Sequence, residues 1–173
     1  ALELRGAGID APVLVLSEPP LAAWPEVAAH RIEAMTYTAA GIAAAGAAGR
    51  TADVDVALHL KVDTGMHRVG CTPDDAVDLA RSIVDTPGTR LAGLATHFAS
   101  ADDPVSMYPA VQLERFRSTD LAITASGIDG YVRHAANSAA ALAHPGARFD
   151  MVRCGIAIYG ISPAAALDDR MEF

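Results

Sequence analysis

VDVALHLKVDTGMHRVGCTPDDAVDLARSIV, residues 54–84, contains one complete strand-to-helix unit and decides the fold class. Residues 54–63 alternate, with Leu58, Leu60 and Val62 on one face and His59, Lys61 and Asp63 on the other. That is the period of a β-strand. A helix follows, with Thr72 as its cap, Pro73 at the first helical position and Asp75 three residues after the cap. Ala76, Leu79, Ala80 and Ile83 then form an apolar stripe at helical spacing.

Outward from this unit the same alternation recurs. APVLVLS (11–17), AMTYT (34–38), RLAGLATHF (90–98), YVRHAAN (131–137) and DMVRCGIAIYG (150–160) read as further strands. PEVAAHRIEA (25–34), the Gly-interrupted AAGIAAAGAAG (39–49) and VQLERFRSTDLAITASG (111–127) read as helices. The last has Leu113, Phe116 and Leu121 near one face and Gly127 as its stop. The expectation is an α/β chain of about six parallel strands alternating with helices, both sheet faces covered. Periodicity leaves a doubly wound sheet and a (β/α)8 barrel open. Neither a GxGxxG after a strand nor a Walker-type loop is present to favour the open sheet.

Composition narrows the partners. With 173 residues, 51% of them apolar, the chain can bury one sizeable core. A net charge of −8 with scattered basic residues argues against nucleic acid and against an anionic membrane surface. No apolar run reaches the roughly 18 residues that span a bilayer. Cys71 and Cys154 read as free thiols of a reducing compartment, which makes the cytoplasm the expected location.

Several residues carry chemistry. Lys61 is the only lysine. Beside Asp63 in the alternation, it fits a structural ion pair or a desolvated, nucleophilic amine. Arg68, in the DTGMHR loop (63–68) after the strand, is placed to hold an anionic oxygen at the sheet rim. His97, in ATHFAS, stands at a strand end without partners at metal-ligand spacing, so no metal is expected. Asn137 and Ser138 open a short helix in HAANSAAAL (134–142), where a hydroxyl and free N–H groups make a phosphate seat or an ordinary cap. In RCGIAIYG (153–160), Gly155 lets a backbone N–H approach an anion, and Arg153 shares its face. Phosphate seats after the last strands are a habit of barrel enzymes.

ALELRGAGIDAPVLVLS, HLKVDTGMHRVG, THFASAD, HAANSAAAL and FDMVRCGIAIYGISP, in that order, make residues 1–163 resemble alanine racemase. The resemblance implies a partial, pyridoxal phosphate (PLP)-binding (β/α)8 TIM-type barrel over 1–163. Residues 164–173 would then lead toward a C-terminal β domain, in a homodimeric isomerase acting on alanine. It places Arg153 at the pyridine nitrogen of PLP, and His97 beside the ring supporting Arg153. Asn137, Ser138 and the N–H groups of Gly155 and Ile156 fall at the phosphate, and Arg68 at the phenolate and the substrate carboxylate. Lys61 matches a lysine that is carbamylated in several relatives and braces that arginine, which removes the Schiff-base reading. The family's PLP lysine and its tyrosine base match nothing in this sequence, so the chain alone is expected to be inactive. His67 stands where glycine is common in relatives. The alternatives are a non-catalytic half-barrel or split-enzyme module needing a partner chain, and another PLP barrel racemase or decarboxylase.

Overall fold

A computed structural model describes residues 1–171. Its frame is a five-stranded parallel sheet of β1 (Leu14–Val15), β2 (Glu33–Thr36), β3 (Val56–Lys61), β4 (Thr89–Ala95) and β5 (Val132–His134). Between them run α2 (Trp24–Ala29), α3 (Ala39–Ala52), α4 (Ala76–Asp85) and α5 (Tyr108–Ala125), with α1 (Leu2–Gly6) ahead and α6 (Ser138–Ala143) behind. Short 3-10 helices at Ile156–Tyr159 and Ala165–Arg170 follow. Residues 172–173 of the expected 164–173 linker lie outside the described residues.

The strands pair in chain order, β1-β2-β3-β4-β5. A doubly wound sheet would reverse direction at a switch point. None occurs here, so the choice that periodicity left open falls to the barrel: the sheet is part of a (β/α)8 barrel. Leu58, Leu60 and Val62 pack with Ile42, Ile83 and Phe116 in one core on the helix side. His59, Lys61 and His134 look to the other, inner side, where polar contacts replace apolar ones.

Five strands replace the six expected. Residues 150–154 run beside β5, with Asp150 N donating to Arg133 O at 3.1 Å and Arg153 N to Ala136 O at 2.9 Å. The backbone then leaves the sheet at Gly155 (φ −96°, ψ −94°) and coils into the Ile156–Tyr159 turn, too early to form a ladder. The helix expected over 25–34 stops at Ala29, because the chain reverses at Arg31 (φ 48°) to enter β2.

The glycines of α3 are no interruption. A Cβ at Gly49 would strike the carbonyl of Gly88, and one at Gly46 the side chain of Thr86, so these residues let the helix lie against the α4–β4 turn. Thr72 Oγ1 donates to Asp75 Oδ2 at 2.6 Å and accepts from Asp75 N at 3.2 Å, but the N-cap of α4 is Asp75, three residues after the Thr72 cap expected. Regular α4 thus begins only at Ala76, after one tight turn. Helix α5 buries Gln112, Phe116, Thr119 and Ile123 and leaves Leu121 exposed. Its inward stripe was disguised because half of it is polar. No described helix is long and apolar enough to cross a membrane. Both cysteines are free, with Cys71 buried.

Candidate functional site

Parallel strands bring their C-terminal ends to one rim, where β3, β4 and β5 deliver Lys61, Thr96–His97 and His134–Ala136. Arg153 enters this rim from the segment beside β5. Its Nη1 donates to His134 O (2.8 Å) and meets His134 Nδ1 (3.0 Å). Its Nη2 donates to Thr96 O (2.6 Å) and Ala135 O (3.2 Å) and meets His97 Nδ1 at 3.3 Å. The four η hydrogens are thus occupied, and Nε–H is the guanidinium donor with no protein acceptor among the described residues. Burial lowers the Arg153 pKa to about 10, which still leaves the group cationic at neutral pH.

His97 is neutral there. Burial, then the cations of Lys61, Arg153 and Arg68, bring its pKa to about 4. Lys61 is buried, and burial followed by Arg153 and Arg68 lowers its amine to about 7, against an opposing pull from Asp63. The ion pair with Asp63 offered by the alternation is absent among the described residues. Asp63 Oδ1 instead gathers the backbone N–H groups of Gly65 (2.8 Å), Met66 (2.8 Å) and His67 (3.1 Å). Burial raises the Asp63 pKa, but those N–H bonds outweigh it and hold the carboxyl below the usual range. This turn puts His67 at φ 55°, the left-handed region. Glycine would adopt that conformation without the Cβ penalty a histidine carries there. Arg68, exposed, lines a small rim pocket with Lys61, Met66, Thr96 and His97.

Ser138 and Gly155, two separate sequence signals, meet directly: Gly155 N donates to Ser138 Oγ at 2.9 Å. The cap of α6 is Asn137, whose Oδ1 accepts from Ala140 N at 2.9 Å. So Asn137, expected at the phosphate, spends its carbonyl oxygen on the helix, and Ser138 is released from capping. A Cβ at Gly155 would meet nothing within 4 Å, which leaves open space beside the hydroxyl and the Ile156 backbone. A phosphate ester fits this donor set, and a flat ring with an acceptor nitrogen fits Arg153 Nε–H.

Five supporting residues carry no motif signature of their own. Gln112, fully buried, accepts from Ala99 N at 2.9 Å and donates to His97 O at 3.0 Å. With Tyr108 Oη on Gly65 O (3.0 Å) and Arg115 Nη1 on Thr64 O (2.9 Å), α5 clamps both rim loops. His59 and Glu33 extend the interior, His59 Nδ1 lying 2.8 Å from His134 Nε2 and its Nε2 2.9 Å from Glu33 Oε2. For His59 a signal existed, since it shares the inward face of β3 with Lys61.

The sequence profile for alanine racemase, N-terminal domain, matches residues 1–163. The chain belongs to the alanine racemase family. It is 41% identical over 169 residues to the alanine racemase of Treponema pallidum subsp. pallidum, covering 94% of this chain and 45% of that protein. The solved alanine racemase of Clostridium difficile 630 superimposes with a TM-score of 0.94 at 28% identity, over 99% of this chain and 46% of that one. The Bacillus anthracis alanine racemase solved with bound L-Ala-P gives 0.88 at 31% identity, over 99% and 45%. The chain spans about half the length of the curated alanine racemases it matches.

Proposed function

We propose that this chain is the cofactor-seating part of a PLP-dependent alanine racemase, an isomerase that interconverts L- and D-alanine and supplies D-alanine for peptidoglycan. The observation that carries the reading is Arg153: a half-buried cation with no carboxylate beside it among the described residues, fixed by three carbonyls and two imidazoles, with Nε–H left over. When bound, PLP supplies an electron-withdrawing ring that acidifies the α-hydrogen of an amino acid. Arg153 keeps its proton and can only donate, so it would hold an unprotonated ring nitrogen and moderate that withdrawal. Such a seat would favour return of the proton to the α-carbon over other positions, as racemisation requires.

Ser138 Oγ and the Ile156 N–H hold the phosphate end, with Gly155 keeping side-chain bulk away. Arg68, exposed at the rim, takes the phenolate oxygen and the substrate carboxylate. His97, neutral, supports Arg153 from beside the ring. Lys61, with a pKa of about 7, has a large neutral fraction under physiological conditions. Its nitrogen can bond the carbon of CO2 with release of one proton, leaving an anionic carbamate that braces Arg68. The PLP lysine and the tyrosine base come from other parts of a longer protein, working as a cytoplasmic homodimer.

The test is PLP titration followed by absorbance, with borohydride reduction and intact mass. Expected is a bound-cofactor spectrum, abolished by Arg153→Ala, with no covalent adduct. A reduced adduct on Lys61, or binding indifferent to Arg153→Ala, would overturn the assignment.

A further inference from the structure

Arg153 carries only donors, so the His134 nitrogen it meets, Nδ1, must present a lone pair. Neutral His134 therefore carries its proton on Nε2, which points to His59 Nδ1 at 2.8 Å. His59 Nδ1 then accepts, and its own proton sits on Nε2, donated to Glu33 Oε2 at 2.9 Å. Burial keeps both imidazoles neutral: the His134 pKa falls to about 2, and that of His59 is lowered despite Glu33. Three hydrogen bonds thus point one way, from a guanidinium at the rim to a carboxylate at the first residue of β2. Reversing any member sets two donors or two lone pairs face to face.

Glu33 stands at the opposite end of the sheet from Arg153. It is only partly buried, with Arg90 Nη2 3.9 Å from its other oxygen. It is the one anion connected to Arg153 through hydrogen bonds among the described residues. We propose that Glu33 is a positioning residue for the cofactor seat: as the acceptor that ends the line, it keeps His59 and His134 in the tautomers Arg153 requires, so that Arg153 is held with its Nε–H free. The link to a cofactor rests on the PLP reading above; the tautomer order belongs to the chain itself.

Nitrogen-15 histidine spectra of the whole chain read the tautomers directly, alongside PLP titration. The unsubstituted chain should show His59 and His134 both as Nε2–H. Glu33→Gln, whose amide oxygen still accepts, should keep both tautomers and hold PLP affinity within about twofold. Glu33→Lys offers only donors, so His59 should turn to Nδ1–H, the order at Arg153 should break, and PLP affinity should fall by about tenfold or more. Should the lysine variant fail to fold, Glu33→Met removes the acceptor without adding charge: Arg153 alone then orders the line, both imidazoles should stay Nε2–H, and the unpaired His59 Nε2–H should exchange with water about tenfold faster or more. Pure Nε2–H forms surviving in folded Glu33→Lys, or an unchanged His59 Nε2–H exchange rate in folded Glu33→Met, would overturn the proposal, whether or not PLP binds. Ordered tautomers that respond at position 33, in a chain that never binds PLP, would sink the cofactor reading and leave the ordering role of Glu33 standing.

Discussion

Gly93 offers the sharpest test of how the interior is built. It lies on β4 as the register partner of His59 on β3 and Val132 on β5, so the His59–His134 hydrogen bond passes over it. A Cβ at this position would fall on the His59 imidazole. In an open strand, Gly→Ala gains roughly 0.5–1 kcal/mol by reducing the freedom of the unfolded chain. Here the ring must move, and overpacking of this kind costs about 1–3 kcal/mol. The displaced ring also strands the buried His134 Nε2–H, a further ~1–3 kcal/mol. The losses outweigh the gain, and Gly93→Ala should destabilise by roughly 2–4 kcal/mol.

Urea unfolding gives this number, with Gly6→Ala as control, since a Cβ there meets nothing within 4 Å. The control should be neutral or slightly stabilising. On a His59→Ala background, where the ring is gone, Gly93→Ala should lose most of its cost, giving a coupling of about 1–3 kcal/mol. Gly93→Ala as stable as the parent within about 0.5 kcal/mol, with no coupling to His59, would refute the reasoning.

Three other outcomes follow from the same geometry. Lys61 is an ordinary lysine when unfolded and titrates near 7 when folded, so the unfolded chain binds more protons between those values and stability rises with pH across that window. Lys61→Met should therefore stabilise by a few kcal/mol near pH 6, at about 1.4 kcal/mol for each tenfold loss of proton affinity on folding. That gain should shrink toward pH 10 in chemical-denaturation curves. Gly155→Ala should leave unfolding unchanged within about 0.5 kcal/mol, because its Cβ touches no protein atom, yet weaken PLP about tenfold by filling the phosphate seat. His67→Gly should raise stability by about 0.5–1 kcal/mol by releasing a side chain from φ 55°, measured as a shift in the urea midpoint.

Much of the frame was legible where the signal is local. The β3 alternation, the α4 helix and the Gly127 stop all stand within a few residues of where their local signals place them. The expected sixth strand failed because apolar residues around Cys154 fit a strand or a short helical turn equally well, and only a neighbouring ladder would decide. The polar inner stripe of α5 misled for a related reason: Gln112 is a core residue only because Ala99, His97 and Thr64 are there to bond it. For the site, Arg68, His97, Ser138, Arg153 and Gly155 were legible as motif residues. That Asn137 and not Ser138 caps α6 was not, because both are competent caps and one position of backbone geometry chooses between them.

The sequence by itself determined the alternation of strands and helices, the inward set of His59 and Lys61, and the motif residues, because periodicity and capping act over one or two turns of chain. Tertiary structure alone decided the winding of the sheet, the convergence of Ser138 with Gly155, and the directed line from Arg153 through His134 and His59 to Glu33. Those contacts join residues from different strands and loops. Their meeting depends on parallel register and on the space that Gly93 leaves, quantities that no local pattern carries.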